Sequence, residues 1–414
     1  MRSATLPSTR ITLAAACALA LHFAMPTSLI GQVAILADRV YPVSSPVIDK
    51  GLILINGDGR ITFVGPAADQ ALPKDVEVLR AKVAIPGLVD AHSVVGLAGH
   101  LNHEHDQDQL DRSAAMQPEL RAIDAYNGRE RLVEWIRGLG VTTLHTGHAP
   151  GAVISGQTCI VKTDAPNADR AVRRETAMVA STIGTLAVGK DGPGTMGKLV
   201  AVFRERFQKV VELRQAEVKD PNSEEVKKAS YADQILLRVL KGEIPLLITA
   251  HRADEILTAI RLKNEFGFKM VLDGAAEAHL VLDQIKAAQI SVIVHPPMAR
   301  TFGPMANATF ELASIVDRAG IPFAFQSGFE DYVPKTRVVL FEAGMAAARG
   351  LGFDRALFGA TLGAARILGM DERVGSLEVG KDGDVALYDG DPFEPTSHCV
   401  GVIIEGRVVS REVR

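Results

Sequence analysis

The chain has 414 residues, 47% hydrophobic and 23% charged, a balance that excludes a disordered protein and leaves room for one large domain with a smaller companion. Its 45 basic and 49 acidic residues give a net charge of −4, so no basic excess points to a nucleic-acid partner. The three cysteines, Cys17, Cys159 and Cys399, form no CxxC pair, which argues against a zinc ribbon or a disulfide framework.

Arg2 and Arg10 precede an apolar run, Ile11 to Ala24, and small residues with a proline follow. This is the layout of a secretory signal peptide over residues 1–28, so the mature chain is expected to be exported, periplasmic or extracellular. No other stretch reaches the ~20 apolar residues of a spanning helix, so no membrane span is expected in the mature chain. Residues 32–84 read as short strands and turns, with a hairpin at Asn56-Gly57-Asp58-Gly59. An apolar strand then breaks at Pro86-Gly87, resumes as Leu88-Val89 and ends on Asp90-Ala91-His92. Parallel α/β barrels present their chemistry in this way, on the polar C-terminal ends of buried strands.

The polar loop beyond this strand offers Asp106 and Gln109 as substrate contacts, with Arg121 helping to pin it. His100, His103 and His105 resemble a metal tract in composition but read as a solvated loop. Val141 to His145 is a strand, taken as the third of the barrel, and His148 follows it. Gly151 to Thr163 reads as a hairpin rising from that strand, and Ala177 to Ile183 is the best candidate for the fourth. Two amphipathic segments near 196–215 and 223–241 read as surface helices. Four strands follow at βα-unit spacing. Leu246–Ala250 ends on His251, with Arg252 next to it, and Lys269–Asp273 follows. Ser291–Val294 ends on His295, and Pro322–Phe325 leads through Gln326-Ser327-Gly328 to Glu330 and Asp331. Strand and turn patterns return from Asp384 to Val409. The expected layout is a small β-sandwich built from both ends, residues 32–84 and 373–414, around a barrel over residues 85–372.

Three stretches, Pro86 to His92, Ala250 to Asp254, and Gly375 to Asp384, resemble the amidohydrolase superfamily, nearest its imidazolonepropionase-like branch. The resemblance implies an α/β fold: a TIM-like (β/α)8 barrel with a small β-sandwich domain. It implies a hydrolase acting on a non-peptide or cyclic C–N bond of a small-molecule substrate, with metal-activated water. Its usual first-strand form is PGxxDxHxH, and Val94 stands at the second histidine. Gly274 stands where the sixth strand would supply a histidine, and Gly328 where the eighth would supply an aspartate. The implied cofactor is therefore reduced to zero or one divalent metal, zinc or iron. His92 and His251 match ligand positions, and His145 and His148 are further candidate ligands. His295, Glu330 and Asp331 are candidate catalytic groups, and Arg252 joins Asp106, Gln109 and Arg121 as a candidate substrate contact. The alternatives are a binding protein that has lost catalysis, or a lyase or isomerase on the same scaffold. A homo-oligomer is compatible with this composition.

Overall fold

A computed structural model describes residues 33–101, 103–189, 192–330 and 336–414. The expected signal segment, 1–28, and Asp331 lie outside the described residues. The strands, in chain order, are β1 (Val33–Val40), β2 (Ile48–Ile55), β3 (Ile61–Pro66), β4 (Glu77–Pro86), β5 (Leu88–Ser93), β6 (Val141–Thr146), β7 (Ile154–Gln157), β8 (Cys159–Lys162) and β9 (Val172–Arg174). They continue with β10 (Val179–Thr182), β11 (Leu246–Ala250), β12 (Met270–Gly274), β13 (Ser291–Val294), β14 (Phe323–Ala324), β15 (Val385–Tyr388), β16 (Cys399–Ile404) and β17 (Arg407–Ser410).

Three sheets result. Strands from both chain ends share one seven-stranded sheet in the order β17-β16-β15-β4-β1-β2-β3. A six-stranded sheet runs β14-β13-β12-β11-β10-β7, and a four-stranded one runs β5-β6-β8-β9. The strands β10 to β14 pair in parallel, as crossover helices require. The two central sheets are stitched along both edges. At one edge Ala91 N–H donates to Phe325 O (3.1 Å) and Gly328 N–H to His92 O (3.1 Å); at the other, Thr158 N–H donates to Met178 O (2.9 Å).

One expectation needs correction. The stretch 151–163 is not a hairpin folded on itself. Its two strands pair with different neighbours: β7 runs antiparallel to β10, and β8 antiparallel to β6. A strictly parallel eight-stranded pattern is therefore not what the ladders form. In addition β6, taken as third, lies directly beside β5. β5 and β6 pair in parallel across the long segment 94–140, whereas β8 returns antiparallel to β6 and needs no crossover.

Side chains alternate across each strand, and inward positions change character along it. Leu247, Val271, Ile293 and Ala324 belong to one buried apolar cluster with Val89 and Ala91. Two residues further on, the same faces carry Thr249, Asp273, His295 and Gln326. The outward positions Leu246, Ile248 and Leu272 join the larger cluster against the helices. The helix Met196–Lys219 starts at Thr195, whose hydroxyl accepts from Lys198 N–H, and buries Phe203 and Phe207 against Phe266 and Phe268. Among the described residues no helix is long and apolar enough to cross a membrane. Cys159 and Cys399 are both free and buried.

The seven-stranded sheet is fastened to the floor of the central sheets by a buried ammonium. Lys162 on β8 is fully buried and donates to Asp384 and to Thr143 Oγ1 (3.2 Å), with Asp382 Oδ2 at 3.5 Å. Asp382 also takes Arg60 and Arg373, and Asp384 accepts from Glu405 N–H at 3.0 Å. Next to it Gly87 donates to Asp384 O (3.0 Å), and a Cβ there would lie 2.3 Å from Thr142 Oγ1. Glycine at 87 thus lets the chain pass between the two layers. Burying these charges is costly unless each is paired, so removing one partner strands the others. Lys162→Met is expected to destabilise the fold by about 3–5 kcal/mol in a denaturant titration, with part of the loss recovered when Asp384→Asn is added. Equal stability of Lys162→Met and the parent would show that the cluster does not fasten the layers.

Candidate active site

The polar strand ends converge on a cavity of about 400 Å³ whose floor includes His92, Thr249, His251, Asp273, His295 and Gln326. Its centre is Asp273. This carboxylate is buried, takes two side-chain donors and faces a third group, His92. Thr249 Oγ1 donates to Oδ2 at 2.6 Å and Gln326 Nε2 to Oδ1 at 2.8 Å. His92 Nδ1 lies 3.1 Å from Oδ1, close but off the line of a good hydrogen bond. Burial alone would raise the Asp273 pKa; the charge and hydrogen bonds of His92, with the Thr249 hydroxyl, outweigh it and hold the pKa low. For His92 burial pulls down, but the Asp273 charge and hydrogen bond and the Asp90 charge carry the net shift upward.

Asp90 of the Pro-Gly-Leu-Val-Asp stretch acts across the seam between the sheets. Its Oδ1 accepts Ser327 N–H at 3.0 Å, and Ser327 Oγ meets Ser93 Oγ at 3.0 Å. Burial pushes Asp90 up to about 6 against those hydrogen bonds. His251 is positioned by Glu255, whose carboxylate accepts the backbone N–H of His251 (3.1 Å), Arg252 (3.1 Å) and Thr185 (2.8 Å). Glu255 is three residues after the N-cap Arg252, the spacing at which a glutamate caps a helix start. Burial lowers the His251 pKa, against the pull of Asp273 and Glu255. His295 places Nδ1 2.9 Å from Pro296 O, so that nitrogen carries the proton, and burial lowers its pKa to about 4.

Several expected site residues fall elsewhere. His145 is fully buried with both ring nitrogens engaged, Nδ1 with Ala91 O (2.6 Å) and Nε2 with Thr158 Oγ1 (2.6 Å). Burial takes it down to about 3, and it fastens β6 to β5 and to the β8 segment rather than binding a metal. His148 is buried against β7, where a Cβ on Gly156 would lie 2.4 Å from its Nε2, and it does not line the cavity. Arg121 pairs with Glu175 (3.2 Å) and Asp124 (3.7 Å), and half-exposed Arg252 with Asp254 (3.0 Å); neither reaches the cavity. Asp106 packs beside Gly99 and is also outside it. Gln109, His295 and Glu330 do line it, although Glu330 is spent on an ion pair with Arg337. Asp273, read in the sequence only as the end of a strand, was not among the expected site residues, and its partners Thr249 and Gln326 were missed with Glu255. The alternation along β11 was the available signal for Thr249.

The family's metal was tested against this donor set. Asp273 accepts two protein hydrogen bonds, Val94 is buried among Ala98, Ala149, Leu110 and Phe329, and Gly274 and Gly328 carry no ligand atom. His92 Nε2, His251 Nδ1 and His295 Nε2 are buried without partners, yet among the described residues no group of three or more His, Cys, Asp or Glu could hold a metal ion. The residues present do not fit a metal centre of the family type.

Gly274 shows how far the site has been rebuilt. Its φ is +79°, and a Cβ there would lie 2.5 Å from His251 Cε1. The His251 ring occupies the room a side chain at 274 would need. Gly274→Ala is expected to cost about 1–3 kcal/mol of stability and to displace the His251 ring, seen as a moved His251 resonance in NMR spectra. An unmoved resonance would show that the contact is slack.

The sequence profile described as the amidohydrolase family matches residues 104–410. An amidohydrolase, tasK, of Hapsidospora irregularis is 23% identical over 87% of this chain, which spans only 39% of that protein. An imidazolonepropionase of Solibacter usitatus is 24% identical, with 89% of this chain and 93% of that one covered. Among solved structures, an amidohydrolase of Thermotoga maritima superposes with a TM-score of 0.84 at 26% identity, over 92% of this chain and 100% of that one. An adenosine deaminase of Xanthomonas campestris with bound zinc gives 0.55 at 19% identity, over 93% and 94%, a likeness of fold alone. These similarities, with the polar strand ends around Asp273, place this chain in the amidohydrolase family, on a TIM barrel-type fold with an additional sheet.

Proposed function

We propose that this chain hydrolyses a C–N bond other than a peptide bond in a small molecule, using an acid–base pair in place of a metal centre. The observation that carries this is the His92–Asp273 pair on the cavity floor, with Asp273 locked by Thr249 and Gln326. Asp273 sets its charge against Nδ1, and we assign Nε2, which has no partner in the protein, as the base for water, the division of labour by which a carboxylate supports a histidine base. The same Nε2–H then returns the proton to the leaving nitrogen. His251 is neutral and offers one N–H to the carbonyl oxygen as charge develops there. The stitched sheet edges support reading the two central sheets as arcs of one closed barrel. The apolar run after Arg10 supports export of the mature chain.

Screening carboxamides, lactams, ureides and amino-substituted heterocycles for release of amine, ammonia or ring-opened acid tests the reaction class. His92→Asn should lower kcat about 10²–10⁴-fold. The base must be neutral, and its folded pKa is raised, so kcat/KM should fall as pH drops through a value above the ordinary histidine range. Asp273→Asn should move that limb to lower pH, since the group that raises it is gone. Chelators should leave the rate unchanged; one or more tightly bound metals per chain, with loss of rate on their removal, would overturn the metal-free reading. Specific binding of one of these compounds without turnover would favour a binding protein, the reading that Gly328 in the aspartate position supports.

N-terminal sequencing of native protein should find a start between about residues 21 and 32, as the signal-peptide layout requires. An intact Met1 on cytoplasmic material would refute export.

A further inference from the structure

The floor of the cavity is polar, but one wall and the mouth are not. Val94, at the position of the family's second histidine, is 1% exposed and clusters with Ala98 and Ala149, against Leu110 and Phe329. Val94, Leu110 and Phe329 all line the cavity, so an apolar strip starts beside His92 and runs outward. It continues on the loop after β13, which brings Phe302 and Met305 to the same cavity. Phe302 is 63% exposed, and a large aromatic ring left in water beside a cavity is surface that a ligand can cover.

The loop that carries Phe302 is held at both ends. Met298 N–H donates to Glu342 Oε2 at 2.7 Å, and Asn307 Nδ2 donates to Glu277 Oε1 at 2.7 Å. Glu277 is itself fixed by Ala253 N–H at 2.7 Å, and Gly303–Met305 forms a 3-10 turn between the clips. The ring is therefore presented in place, and binding against it does not first have to order the loop.

We propose that the strip from Val94 through Leu110 and Phe329 to Phe302 and Met305 is a specificity subsite for an apolar arm, aryl or alkyl, on the ligand whose C–N group lies at the polar floor. This rests on the proposed hydrolase reading only for the nature of the reacting head. The replacement of a histidine by Val94 then has a positive role: it continues the apolar wall down to the reacting groups.

The test is a homologous series of primary carboxamides, from acetamide to octanamide, with phenylacetamide, whose binding is followed by ligand-observed NMR in the presence and absence of turnover. Affinity should rise by up to about fourfold for each methylene that becomes buried. Phe302→Ser changes an exposed loop residue, and Val94→Thr keeps the shape of the side chain while adding a hydroxyl. The rise per methylene should weaken in either variant, with Phe302→Ser acting on the longer members of the series. A flat series in the parent protein, or a rise that both variants keep in full, would overturn the subsite. Chain-length-dependent binding with no hydrolysis of any carboxamide, lactam, ureide or amino-substituted heterocycle would sink the hydrolase reading alone, and hydrolysis without chain-length dependence would sink the subsite alone.

Discussion

A carboxylate removed from water must be surrounded by donors, and Asp273 meets that requirement with groups from other strands. Thr249 comes from β11, Gln326 from the end of β14 and His92 from β5, while Asp273 itself ends β12. One side chain thus ties four strand ends from both central sheets into a single polar layer. The same economy decides the chemistry. Two of the carboxylate's acceptor sites take a hydroxyl and an amide, and the His92 imidazole stands 3.1 Å from it. What the layer presents is an imidazole beside a carboxylate.

The two ends of the strands solve opposite problems. At the C-terminal ends the charges sit around a cavity, and their partners leave His92, His251 and His295 each with a nitrogen unpaired in the protein. At the other end Lys162, Asp382 and Asp384 are buried and paired with one another and with Arg60, Arg373 and Glu405 N–H. The contrast follows the division of labour in parallel barrels, where one face carries chemistry and the other stability. It also accounts for the Gly-Lys-Asp-Gly-Asp return. Asp382 and Asp384 are spaced so that both reach one buried ammonium, with Gly383 between them, where a Cβ would lie 2.6 Å from Ile55 Cγ2.

Much of this was legible from the order of residues. Apolar runs ending on His92, His251 and His295 marked strands and their chemically active ends together, because strand burial and site placement share one pattern. The failures have physical causes. His145 also ends an apolar strand, but its ring turns into the seam between β5 and β8, and nothing local distinguishes a histidine that fastens strands from one that faces a cavity. Arg121 and Arg252 were chosen for charge and position, yet each has an acidic neighbour nearer than the site. The antiparallel β7–β8 segment was taken for a self-paired hairpin because its turn-rich composition fits both arrangements, and only the partner strands decide. Thr249 and Gln326 are ordinary in sequence; their roles exist only once four strands are side by side.

The three departures from the family pattern form one coherent change rather than three losses. At Gly274 the missing side chain is room that the His251 ring fills. At Val94 the missing imidazole is replaced by a wall that packs with Leu110 and Phe329. At Gly328 the backbone N–H closes the seam to His92 O, and φ of +66° is a conformation glycine adopts freely. Here each vacated position is occupied by packing or by a hydrogen bond that another part of the site uses. The cavity thus has Asp273 and His92 at its floor and apolar surface above them.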